Sequence, residues 1–355
     1  MLLESIFGKS RSEIENSFIK EGVSNVHVKP VMASIYKKMN DEPFEQTNLP
    51  LKMKQLLKQS LSVDLPMARL EKISNYDLSV KFLLELKDGS KVETVLMPEK
   101  NRITICISSQ VGCAQGCIFC YTGKMGLIRN LTSEEIVSQV VYANKWISKN
   151  PQWLASLNLG NNQRITNVVF MGMGEPCDNV DNVLSAIEIL TDPWGLELAP
   201  RKVTVSTAGH LDGLKGMYAK NSKICYAFSM HSTKQSERSK LMPINRKYPL
   251  EEVLSYLANV SQNDGKSFLI QYTVINKIND SLEDAKFLAD LLEGVNCKVN
   301  LIPLNPIDPT RLSSPVPERL LAFRDSIHNR GIRVMIRYSK GQDIDAACGQ
   351  LVSQN

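Results

Sequence analysis

The chain has 355 residues, 43% of them hydrophobic and 22% charged, with a formal net charge of +5; this is the composition of an ordinary globular protein with room for one large domain and a small one. No run of about 18 apolar residues occurs, which excludes a membrane span, and the Met1-Leu2-Leu3-Glu4-Ser5 start lacks a secretory signal, so a cytoplasmic protein is expected. Eight cysteines in such a chain read as thiols and metal ligands rather than a disulfide scaffold, and the mild positive charge permits a polyanionic partner without demanding one.

Residues 1–75 read as a small helical domain. Ser10 or Ser12 is placed to cap a helix through Ile19, a second apolar rhythm runs Val31, Ile35, Met39, and a third follows Asn48-Leu49-Pro50. Lys52, Lys54 and Lys58 on the third suit RNA phosphates; a solvated helix face accounts for them equally. Residues 76–98 read as a β-hairpin, with strands at 78–86 and 91–97 joined by Asp88-Gly89, a pair suited to a tight primed turn. Residues 99–355 form the main domain, opening with a strand at 103–108. Thr132-x-x-Glu135 is a capping box for a helix with apolar Ile136, Val140, Ala143 and Ile147. Strands are predicted at 167–171, 202–206, 224–229, 269–274, 299–302 and 334–337, with helices at 183–190, 250–257, 282–292 and 317–327. The stretches 148–166 and 305–316 read as loops. Alternating strands and helices argue for an α/β fold with a parallel sheet. Six or seven units are too few for an eight-fold barrel, so a partial (βα)6-type TIM barrel is expected, with its site at the carboxyl ends of the strands.

The chemistry-bearing residues fall at those ends. Cys113, Cys117 and Cys120 form a Cys-x3-Cys-x2-Cys loop, close enough to share one metal site. Structural zinc takes four ligands and an iron–sulfur cluster usually four cysteines, so three leave a metal position open. Zinc with a remote fourth ligand such as Cys106, in a non-catalytic RNA-binding protein, is the alternative of another class. The Gly172-Met173-Gly174-Glu175-Pro176 turn lets a ligand approach the backbone and offers Glu175 to an amino group. Ser206, then Ser229-Met230-His231, then Asn305, which suits a ribose, follow later strands. Cys177, Cys225 and Cys297 read as small buried hydrophobes.

These motifs resemble the RlmN/Cfr family of radical S-adenosylmethionine (SAM) RNA methyltransferases, and most of all its RlmN type. The resemblance covers nearly the whole chain: Glu93-Thr94-Val95 with Pro98-Glu99, Cys106 with Ser108-Ser109-Gln110, the cysteine loop, Arg129-Asn130-Leu131, the turn to Pro176, Met242-Pro243-Ile244-Asn245, Leu301-Ile302-Pro303 with Asn305-Pro306, and residues 343–351. It implies a [4Fe-4S] cluster on Cys113, Cys117 and Cys120. It implies SAM contacts at Gly174, Glu175, Ser206, Ser229, Met230, His231 and Asn305, with two SAM consumed per turnover. Cys348 would be the cysteine that becomes methylated, Cys106 its partner thiol and Glu93 a catalytic base. The implied substrates are an adenosine of large-subunit (23S) ribosomal RNA, methylated at carbon 2, and the adenosine beside the anticodon in tRNA. A one-electron reductant such as flavodoxin or ferredoxin and a monomeric enzyme are also implied, with residues 1–75 docking RNA. A Cfr-type enzyme acting at carbon 8 is the near alternative, and Pro176 leans toward the RlmN type. Tyr121, where a small residue is usual, and Lys29-Pro30-Val31-Met32, where a more basic stretch is common, depart from the family pattern.

Overall fold

The computed structural model describes residues 3–20, 22–45, 47–157, 159, 164–307 and 312–352. The N-terminal segment folds as α1 (Arg11–Lys20), α2 (Val28–Met32), which continues as a π turn over Ala33–Lys37, and α3 (Leu51–Ser60). Ser10 caps the first helix reciprocally: its N–H donates to the Glu13 carboxylate at 2.7 Å and its hydroxyl accepts the Glu13 N–H at 3.4 Å. Ile14, Phe18, Val31, Ile35, Met53 and Leu57 are buried. The two-residue strands β1 (Glu4–Ser5) and β2 (Leu61–Ser62) pair in parallel and tie the ends of the segment together. Two of the three lysines on α3 meet a carboxylate already, since Lys54 and Lys58 lie 3.6 and 2.7 Å from Glu45.

Residues 67–73, inside the stretch read as helical, form strand β3 (Met67–Ile73) instead. Nearly every residue of β3 is exposed, so it has no buried face and no alternation for the sequence to report. Its pairing is imposed by β4 (Val80–Glu85), antiparallel to it, which carries the buried Val80, Phe82 and Leu84. β5 (Lys91–Glu99) follows antiparallel. The turn between them is not the expected primed one, which needs positive φ at both central residues. Only Gly89 is left-handed, at φ 83°; its N–H donates to the Leu86 carbonyl at 2.9 Å, while the Leu86 N–H donates to the Ser90 carbonyl at 2.8 Å. This is a three-residue loop closed by a glycine bulge.

β6 (Arg102–Cys106) pairs antiparallel with β5 and opens the parallel array. A side hairpin leaves it, made of β7 (Gln110–Cys113), the cysteine loop, the short α4 (Tyr121–Met125) and β8 (Gly126–Asn130). The array then continues through α5 (Ser133–Lys149), α6 (Pro151–Ser156), β9 (Asn167–Phe170), α7 (Val180–Thr191), β10 (Val203–Thr207), α8 (Leu211–Lys220), β11 (Cys225–Ser229), α9 (Gln235–Leu241), α10 (Leu250–Asp264), β12 (Phe268–Val274), α11 (Leu282–Leu291), β13 (Cys297–Pro303), α12 (Pro317–His328) and β14 (Arg333–Ile336). Ten strands form one sheet in the order β14-β13-β12-β11-β10-β9-β6-β5-β4-β3. From β6 to β14 every neighbouring pair is parallel. This is the expected α/β array of six helical crossovers, extended at one edge by the antiparallel strands. Among the described residues no helix is long and apolar enough to cross a membrane.

The predicted capping box is present at Thr132 and Glu135, and Ile136, Val140, Ala143 and Ile147 are buried on the helix it opens. The stretch 148–166 is not a simple loop, because Pro151 starts α6 at the position where a missing N–H costs nothing; residues 158 and 160–163 of that stretch, and 308–311 of the other predicted loop, lie outside the described residues. α8 and α9 fall between predicted strands, as the crossovers require, at positions the apolar pattern does not mark. Gly213 and Gly216 depress the helical propensity of α8, and Gly213 is there for packing: an added Cβ would sit 2.1 Å from the Cys177 carbonyl oxygen. Gly213→Ala is therefore expected to destabilise the protein by about 1–3 kcal/mol, read as a lower urea midpoint. Gly216→Ala, where a Cβ meets nothing within 4 Å, should leave the midpoint unchanged or raise it.

Candidate active site at the carboxyl ends of the parallel strands

A cleft of about 910 Å³, open to solvent, lies over the carboxyl ends of the central strands. Cys113, Cys117, Cys120, Gly174, Glu175, Ser206, Ser229, His231, Asn305 and Cys348 all line it. The cysteine loop reaches it because Gly112 turns the chain at φ 74°, where an added Cβ would lie 1.9 Å from the Gly126 carbonyl. Its far side rests on the end of α9, with the Ile118 N–H donating to the Leu241 carbonyl at 3.1 Å. Burial pushes the Cys113 thiol up to about 12 and raises Cys117 and Cys120 as well, and neighbouring cysteines add to each rise. Three crowded thiols that hold their protons are a set that a metal would deprotonate on binding.

Beneath this loop lies Arg238, fully buried. Its guanidinium donates to the carbonyls of Met230, Ala208 and Ser229 at 2.9, 2.7 and 3.0 Å and to the Asn245 side-chain oxygen at 2.7 Å. Every one of these acceptors is neutral, and among the described residues no carboxylate comes within ion-pair distance. Burial lowers its pKa to about 10, and the nearby Cys117 is what pulls it the other way. A buried cation facing the thiol loop fits an anionic iron–sulfur group there. No three metal-ligating side chains among the described residues converge on a single ion. The expected cluster on these three cysteines therefore fits the site better than the zinc alternative does.

The strand ends supply the remaining polar groups. Glu175 is buried, and its carboxylate accepts the N–H of Ala208 at 2.7 Å and of Cys177 at 3.0 Å, while burial raises its pKa. The glycines before it answer to the protein itself: a Cβ on Gly174 would sit 2.5 Å from Gln110, and one on Gly172 would sit 2.7 Å from the Ile107 carbonyl. The Ser206 and Ser229 hydroxyls both donate to the Gln271 side-chain oxygen at 3.2 Å. His231 is buried and its Nδ1 accepts the Thr273 N–H at 2.8 Å; burial lowers its pKa to about 3. The ring is therefore neutral, with its proton on Nε2. The Asn305 amide donates to Ser339 at 2.8 Å and to the Cys348 carbonyl at 3.3 Å, so it holds the chain end. Gln271 was not singled out from the sequence; one amide inside the apolar strand Phe268–Val274 was the available signal.

Three candidates lie off the cleft. Met230 is wholly buried, and its backbone, with N–H to Gln271 at 2.9 Å, fixes the strand end. Cys106 lines a second, narrower pocket with Met97, Met171, Arg337 and Leu351. Its thiol is pushed up to about 12, first by burial and then by Cys348. Cys348 is exposed, lines both pockets, and both thiols are free. Glu93 is buried on β5, 2.9 Å from the Lys81 ammonium, and accepts the Val352 N–H at 2.8 Å.

Comparison with known proteins agrees with this geometry. Residues 107–289 match the Radical SAM superfamily. A protein of Campylobacter concisus named dual-specificity RNA methyltransferase RlmN is 40% identical over 334 residues, covering 90% of this chain and 84% of its own. A Thermosipho melanesiensis protein named probable dual-specificity RNA methyltransferase RlmN is 37% identical over 349 residues, covering 98% of each chain. The crystal structure of a radical SAM methyltransferase from Sphaerobacter thermophilus superposes with a TM-score of 0.90 at 34% identity, covering 99% of this chain and 100% of that one. Prepared without oxygen, the protein should hold about four irons per chain. Replacing any one of Cys113, Cys117 or Cys120 by Ala should remove the iron and its visible absorbance while the far-ultraviolet circular dichroism stays. A colourless protein holding one zinc would contradict the assignment.

Proposed function

The chain belongs to the RlmN family of radical SAM RNA methyltransferases, and from that premise we propose that it methylates carbon 2 of an adenosine in large-subunit (23S) ribosomal RNA and of the adenosine beside the anticodon in tRNA. The dual specificity in the names of its relatives supports both substrates. Pro176 supports carbon 2 over carbon 8. In this reading the helical segment before β3 docks RNA, β3 to β5 extend the sheet, and residues 99–355 carry the chemistry in a monomer served by a one-electron donor such as flavodoxin or ferredoxin.

Carbon 2 of adenine lies between two ring nitrogens and is electron-poor, so it does not attack an electrophilic methyl group. A cluster on Cys113, Cys117 and Cys120, with SAM, supplies the one-electron chemistry that avoids this obstacle. The residues of the chain do the rest. Glu175 and the Ser206, Ser229 and His231 groups orient SAM, with the neutral His231 offering a donor from Nε2. Cys348 takes a methyl group on its sulfur and presents it to the base. Once the carbon on the Cys348 sulfur is bonded to carbon 2, Cys106 attacks that sulfur, the sulfur–carbon bond breaks as the disulfide forms, and the freed carbon takes a proton to become the product methyl group. Glu93 accepts the proton from carbon 2, and its raised pKa, set by burial against the downward pull of Lys81, makes it a stronger base than an exposed carboxylate.

The observation that carries this reading is the position of Cys348 on the wall shared by two pockets, one holding the three cluster thiols and the other Cys106. Digestion of RNA treated with loaded enzyme should yield 2-methyladenosine by mass spectrometry; 8-methyladenosine alone would overturn the position. Cys348→Ala should retain iron and make no product. Cys106→Ala should accumulate protein joined to RNA, seen as a slowed, nuclease-sensitive band on a denaturing gel. An active Cys348→Ala enzyme would falsify the methyl-carrier role.

A further inference from the structure

The segment carrying Cys348 is held from two sides. On the cysteine-loop side, Tyr121 N–H donates to the Gly349 carbonyl and the Thr122 hydroxyl to the Leu351 carbonyl, both at 2.7 Å. On the side of the antiparallel strands, Asn75 N–H donates to the Asp343 carboxylate at 3.0 Å, and the Asp77 carboxylate accepts the Gly341 N–H at 2.9 Å. Closer to Cys348 the grip passes to a buried ion pair. The Lys81 ammonium donates to the Asp345 carbonyl at 3.0 Å and lies 2.9 Å from Glu93, whose carboxylate accepts the Val352 N–H at 2.8 Å. Lys81 faces Val95 in the register of β4 and β5, which puts Glu93 two residues along the same face. One pair of side chains thus takes hold of the segment on each side of Cys348.

We propose that Lys81 is a positioning residue for RNA methylation: its ammonium holds the Glu93 carboxylate and the Cys348 segment in register with each other. The inference deepens the reading of Glu93 as base and Cys348 as methyl carrier, and rests on it. No signal pointed to Lys81 in the sequence, where it is one basic residue on a strand. Burial makes the lysine unusual, since a buried ammonium is kept only where it is paired. It has two tasks. As a donor it fixes the carbonyl three residues before Cys348. As a charge it opposes the burial that would keep a proton on Glu93; Asp345, the other charged group acting on Glu93, pushes the opposite way. Without the ammonium, Glu93 keeps its proton to higher pH and the segment loses one of its anchors.

The test uses the full-length, cluster-loaded enzyme with Lys81→Met and, because an orphaned buried carboxylate threatens folding, the charge-balanced Lys81→Met with Glu93→Gln. Hydrogen exchange of the amides at 346–351 should be about tenfold faster or more in both. The acid limb of the RNA methylation rate should move up by about one to three pH units in Lys81→Met, and Lys81→Arg should return it toward the wild-type position. Unchanged exchange in either folded variant overturns the proposal. Faster exchange with an unmoved limb, and a Glu93→Gln enzyme that works at the normal rate, would assign the failure to Glu93 as base and leave the hold on the segment supported.

Discussion

A few hydrogen bonds at the end of the chain bring Cys348 to a loop more than two hundred residues earlier in the sequence. Everything the proposed chemistry needs depends on that closure. The bonds to Gly349 and Leu351 come from the first two residues of α4, which directly follow Cys120. The carrier segment and the cysteine loop are therefore positioned by the same few atoms. The opposite edge of the segment rests on β4, β5 and the turn before β4, so the antiparallel extension has a structural task as well as an edge-covering one.

The parallel sheet does the other half. Its strands end in polar residues, so Glu175, Ser206, and Ser229 with His231 arrive in the cleft from three successive strands by the same topological rule. The glycines nearby are demanded from behind. Gly172 and Gly174 press on the backbone and side chains leaving β6, and Gly112 presses on Gly126. The floor of the site is thus as tightly packed as the core, which lets it hold a ligand without being shaped by it.

The parts legible in the sequence were those where local pattern and chemistry coincide. The inner strands of the parallel array, such as β10, β12 and β13, are largely buried and read as apolar runs, and the capping box at Thr132 marks its own helix. The cysteine spacing and the strand-end polar residues were legible because few structural roles require them together. What escaped was defined by partners distant in sequence. β3 is a strand because β4 is beside it, α8 carries Gly213 because Cys177 crosses it there, and Gln271 matters because two serines from other strands meet its amide oxygen. Arg238 looks like any charged residue of a polar helix until its burial close to the thiols is seen. Asn305 lines the cleft where a ligand contact was read for it, and its amide also secures the chain end, which no local pattern announces.

Arg238 has one further consequence. Four neutral oxygens solvate its charge and none balances it, while unfolding would return it to water. An anionic group seated at the thiols favours the folded chain over the unfolded one, so occupancy and global stability are linked by mass action. Among the described residues no carboxylate offsets the cation in the empty protein. Chains without such a group are therefore expected to be more open to proteolysis than loaded ones, which would make the arginine a determinant of lifetime as well as of binding.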